Sequence, residues 1–193
     1  MKNYSFEYFL NAVHYSLWLI DMKFGDFMGK IVDKLLSPIP KYLFTEKYRK
    51  KCYERQSKEQ KNIDKLFYDK ETGYHVCSAN HWFGYLYSGY SIFFSFFLVG
   101  IASKRYEHLS SFIVILLFAV PIGLCYIPAY RSVFSNDRYL KYYKQFEKKD
   151  KRWHRKWKWI TIVFCVGSYV TAIAGIFVMS AVGRSFLRWT ATI

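Results

Sequence analysis

Hydrophobic and polar residues along this chain are sorted into blocks. Three stretches hold no charged side chain: 82–102 (WFGYLYSGYSIFFSFFLVGIA), 111–130 (SFIVILLFAVPIGLCYIPAY) and 159–182 (WITIVFCVGSYVTAIAGIFVMSAV). A helix needs about 20 mainly apolar residues to cross a bilayer. Core helices of soluble proteins rarely run that far without a charge, so the blocks predict transmembrane helices.

The first 37 residues follow a different pattern. Phe6, Leu10, Val13, Leu17, Ile20, Phe24, Phe27, Ile31 and Leu35 recur at helical spacing, while Glu7, Asn11, His14 and Asp21 form a second stripe. One long amphipathic helix fits both, and Pro38 and Pro40 end it. Two placements are open. The helix lies in the interface plane, with its polar stripe wet, or its first half is a fourth, polar span. The expected class is therefore an all-α integral membrane protein with three transmembrane helices and this amphipathic helix. Residues 38–81 form a basic segment with a solvated, mixed-charge helix. Residues 82–193 form the membrane domain, with the basic loop 131–158 between its second and third spans.

Composition adds orientation. The 193 residues carry a net charge of +15, yet 52% are hydrophobic. Residues 131–158 hold eleven Lys/Arg against three acids, and residues 41–71 hold ten against six. The link 103–109 and the tail from Gly183 are only weakly basic. The positive-inside rule places the two large basic segments together on the cytoplasmic or matrix side of an inner membrane, mitochondrial or bacterial. Three spans then put the link and the C-terminus opposite. The first residues lack the charge pattern of a signal or transit peptide, so they are expected to be retained.

The stretch KKDKRWHRKWKW before the last span reads as an interfacial collar. Lys148, Lys149, Lys151, Arg152, Arg155 and Lys156 stop at the hydrocarbon edge and meet anionic lipid, while Trp153, Trp157 and Trp159 anchor in the interface. Cations interleaved with aromatics also suit single-stranded nucleic acid, but adjacency to a span accounts for them without that partner.

Small residues at helical spacing permit close helix approach. Gly84, Ser88, Ser91 and Ser95 do so in the first span, and Gly167, Thr171 and Gly175 in the last. They pack either within the chain or against other chains. Pro121 and Pro128 are expected to kink or shorten the middle span.

Candidate chemistry is sparse. His75, Cys77 and His81 are a weak metal-ligand candidate, because a closed zinc site needs four ligands and no recurring spacing matches. The alternative is a loop in which His81 and Trp82 mark the membrane edge. Cys52, Cys77, Cys125 and Cys165 are too scattered for a disulfide framework. No phosphate-binding, dinucleotide-binding, zinc-protease or nucleophile-elbow motif occurs. The three spans lack both the histidines of a haem site and the charges of an ion path. No cofactor or catalytic residue is assigned. Glu7, Asn11 and His14 are the one candidate for a buried polar path.

These features favour a non-catalytic accessory subunit of a larger membrane complex, with other membrane subunits and anionic lipids as partners. Respiratory-chain and ATP-synthase assemblies are settings of that kind. The alternatives are a self-associating pore or defence effector, and a small transporter or membrane enzyme.

Overall fold

A computed structural model describes residues 6–36, 45–106 and 109–190. Among them the regular structure is entirely helical: α1 (Phe6–Leu36), α2 (Glu46–Tyr68), α3 (Tyr74–Arg105), α4 (Ser111–Val133), α5 (Arg138–Phe146) and α6 (Lys151–Thr190). Three of these units are long and apolar enough to cross a membrane: α3, the α4–α5 unit through its apolar α4 part, and α6. They contain the three uncharged blocks, and α1 is not among them. Pro38 and Pro40 lie outside the described residues, as do the ends of the chain.

Several boundaries differ from the sequence reading. α3 starts at Tyr74, so His75, Cys77 and His81 sit on its first turns and not in a loop. α4 continues through Pro121 and Pro128 to Val133, so neither proline shortens it. A proline in a helix removes one hydrogen bond without forcing a stop. The loop 131–158 is largely helical. A 3-10 turn at Ser135–Asp137 reverses the chain into α5, with Asn136 (φ 55°) and Asp137 (φ 51°) both left-handed. Asn and Asp tolerate that region best among residues with a side chain. α6 then runs 40 residues unbroken, so the collar from Lys151 onward forms the first turns of the last span's own helix. Asp150 caps this start by accepting the Trp153 N–H at 3.0 Å.

The bundle is organised around α3, whose most extensive partner is α6. The two run parallel: Leu86 and Gly89 meet Ser168, Phe93 and Phe96 meet Gly175, and Gly100 meets Met179. α4 runs antiparallel on another side of α3, with Gly84 beside Tyr126 and Ser95 beside Phe118. The start of α3, the end of α4 and the start of α6 thus share one end, where both basic segments also lie. α1 crosses this end.

The small-residue stripes serve contacts within the chain. A Cβ on Gly175 would lie 2.9 Å from Phe96 Cδ2 and 3.1 Å from the Phe93 Cα, and one on Gly167 would lie 2.6 Å from the Tyr90 hydroxyl. That hydroxyl donates to the Phe164 carbonyl at 2.6 Å. Ser168 Oγ donates to the Leu86 carbonyl at 2.6 Å. Ser91 and Ser95 are buried, while the Ser88 and Thr171 hydroxyls bond carbonyls of their own helices. Gly89 and Gly100, outside the stripes read from the sequence, belong to the same seam.

Gly175→Leu is therefore expected to destabilise the isolated chain by roughly 1–3 kcal/mol, the usual cost of overpacking. Gly123, whose Cβ would meet nothing within 4 Å, supplies the matched Gly123→Leu control, expected to be near neutral. Thermal unfolding of both variants in detergent checks this. Equal midpoints would remove the glycine seam.

Candidate functional site

The middle of the polar stripe of α1 is dry. Every residue from 10 to 18 is buried, Asn11 and His14 completely. The wet-face placement fails here because α1 is enclosed by α3, α4, α5 and α6 together. The fourth-span placement is not supported either. Its bonds and ring contacts run to the shared basic end of the bundle, at Tyr68, His75, Ser78, Asn80, Phe83, Ser132 and Tyr143 among others.

Each residue of the stripe bonds at least one neighbouring element. Glu7 binds Arg138 at 3.2 Å and accepts from the Tyr142 hydroxyl at 3.2 Å. Asn11 Nδ2 donates to the Ser132 carbonyl at 2.9 Å and to the Glu7 carbonyl at 2.8 Å. His14 Nε2 meets Asn80 Oδ1 at 2.8 Å, and its Nδ1 meets the Tyr143 hydroxyl at 3.1 Å. Asp21 accepts from the Ser78 hydroxyl at 3.0 Å and meets His75 Nδ1 at 2.7 Å. Tyr68 donates to Asp26. The stripe fastens α1 to α3, α4 and α5 in turn.

His14 is the centre of this clasp. Asn80 Oδ1 can only accept, so Nε2 carries the proton, and Nδ1 then accepts from Tyr143. Both positions are filled by the neutral ring. Phe83, Phe134 and Tyr139 surround it at centroid distances of 5.5–5.6 Å. Burial in this aromatic cage lowers the pKa of His14 from 6.5 to about 4, against the smaller upward pull of Asn80. With both nitrogens bonded, the ring ties α1 to α3 and α5. The Asn11 Oδ1, Trp18 Nε1 and Thr161 Oγ1 atoms are buried without a partner.

The metal-ligand candidate is not brought together. Helical phase turns His75 into the α1 interface, where a Cβ on Gly25 would touch its ring at 2.7 Å. Cys77 and His81 are exposed on another side. No group of three His, Cys, Asp or Glu able to hold a metal occurs among the described residues.

The collar also divides. Trp153 and Trp157 are one turn apart and face inward. Trp157 is buried against Tyr8 and Phe9, and Trp153 stacks on Phe146 at 4.8 Å and donates its Nε1–H to Tyr8 at 3.1 Å. Trp157 belongs to the core and Trp153 packs against it, so both rings are engaged within the chain. Trp159 is 63% exposed. All six collar cations are exposed, and two of them, Lys151 and Arg155, line a groove against α1.

The buried histidine makes stability depend on pH. The unfolded ring takes up its proton near pH 6.5 and the folded ring only near pH 4. In that window the unfolded state holds more protons, so the stabilisation is complete above pH 6.5 and is lost as pH falls toward 4. The His14 contribution to the loss between pH 7.5 and pH 5 is about 2 kcal/mol. Thermal unfolding of the wild type and His14→Gln across this range should show the shallower dependence in the variant. Identical slopes would contradict the caged neutral ring.

Comparison of the chain with protein-family models, with curated proteins and with solved structures finds no match.

Proposed function

We propose that this chain is a multi-pass membrane protein serving as a non-catalytic accessory subunit of a larger membrane assembly, with its basic end on the cytoplasmic or matrix side. The observation that carries this reading is the contrast between the two halves of α1. Residues 10–18 are buried inside the chain, yet the same helix continues with Phe24, Phe27, Met28, Ile31, Val32 and Leu35 exposed. A helix clamped at one end with a bare apolar face at the other is suited to bracing a neighbour. The outer face of α4 supports the same reading, since only Ala129 and Val133 of that helix are buried.

Three further observations favour this reading over the alternatives. Burial of Asn11 and His14 inside the chain favours this reading over a pore lined by the polar face of α1. The small-residue stripes proposed for self-association already meet within the chain. The Glu7, Asn11 and His14 path of a transporter consists of groups each occupied by a structural bond.

Gentle detergent extraction followed by mass measurement should recover the chain with different proteins in fixed ratio. Combined Phe27→Ser, Ile31→Ser and Leu35→Ser should reduce recovery of those companions by roughly tenfold or more, given ~1.5–3 kcal/mol per fully buried large apolar side chain, with the thermal midpoint unchanged. A lone monomer or a ring of identical copies would overturn the reading.

A further inference from the structure

Beside the clasp, α1 and the start of α6 leave a groove of about 580 Å³. Lys151, Arg155 and Lys158 line it from one face of α6, and Lys23 faces them from α1. No acidic side chain lines it. Its floor is apolar, formed by Leu19 and Ile20. Ile20 also borders a second groove of about 290 Å³, lined by Phe24, Trp82, Leu86 and Tyr169 among others. His154, Lys158, Cys165 and Tyr169 fall on a single face of α6, so the two grooves follow one another along that helix, from its cationic turns into its apolar span. The one acid in the second groove, Asp21, is held by His75 and Ser78.

We infer that the paired grooves bind one anionic phospholipid, with its phosphate among Lys23, Lys151, Arg155 and Lys158 and an acyl chain passing Ile20 toward Trp82 and Tyr169. Four cations in one concavity attract a phosphate anion of any source. The apolar continuation selects a lipid over a free anion, because only a lipid fills both parts. Lys148, Lys149 and Lys156, other cations of the collar, do not line this groove. The inference rests on the chain being embedded in a membrane, but it needs no partner subunit.

The purified full chain in a non-ionic detergent tests it directly. Native mass spectrometry follows titration with phosphatidylglycerol, phosphatidylcholine or inorganic phosphate. One phosphatidylglycerol should be retained, in preference to phosphatidylcholine by roughly tenfold. Combined Lys151→Gln, Arg155→Gln and Lys158→Gln should abolish that preference, whereas combined Lys148→Gln, Lys149→Gln and Lys156→Gln, with the same loss of charge, should keep it. Lys23→Gln, a single change on the other wall, should weaken it too and serves if the groove triple does not fold. Leu19→Asn should weaken lipid retention. Equal losses in the two triples would mean diffuse attraction to the collar, and full competition by inorganic phosphate would mean a small-anion site; either overturns the proposal. Because the isolated chain is assayed, a negative result leaves the companion-recovery experiment unaffected.

Discussion

The rest of the structure depends on the requirement that a buried polar group find a partner. Asn11 and His14 sit where water has no access, and an amide or imidazole left unbonded there costs roughly 1–3 kcal/mol or more. Satisfying them fixes Asn80 of α3, the Ser132 carbonyl of α4 and Tyr143 of α5 around a single turn of α1. Apolar packing alone would allow helices to slide. These bonds have direction, and they set both the register of α1 and the angle at which it crosses the bundle.

Two kinds of adhesion divide the molecule. At the basic end, rings dominate: Tyr8, Tyr15, Phe146, Trp153 and Trp157 interlock, largely edge-on or tilted, and Glu7 and Asp21 add charge at either side. Further along α3 and α6 the contact is made by absence of side chain, with glycines admitting a phenylalanine or a neighbouring backbone. The first kind suits a region reached by water and head groups. The second suits a region where no hydrophobic force separates helix from lipid and close approach has to supply the attraction.

The extent to which sequence revealed this follows from what each signal measures. The apolar blocks were legible because length and lack of charge are local properties, and they fall in α3, α4 and α6. The 4/3/4 rhythm of α1 was legible too, but not its surroundings. Glu7, Asn11 and His14 looked like a wet face because a polar stripe is ordinarily wet, and nothing local reports that Asn80, Ser132 and Tyr143 lie opposite. Trp153 and Trp157 were misplaced for a related reason. The interface preference of tryptophan applies to any member of the cluster, and only the phase of α6 against α1 turns these two inward while Trp159 stays out. Gly89 and Gly100 were passed over because their spacing matched no small-residue stripe. Their role appears once the Ser168 and Met179 backbones are opposite them. The His75, Cys77 and His81 cluster dissolves as soon as α3 is extended back to Tyr74, since residues two and six apart on a helix point different ways from the first.

The clasp also sets a timetable. Asn11 bonds across 121 residues to Ser132, and Tyr8 across 145 to Trp153. α1 is made before the helices that enclose it, and its seat is complete only once the start of α6 supplies Trp153 and Trp157. Throughout synthesis the dry stripe has to wait in water or at the lipid surface. A chain cut short before α6 therefore leaves Tyr8, Phe9 and Tyr15 without the two indole rings that cover them.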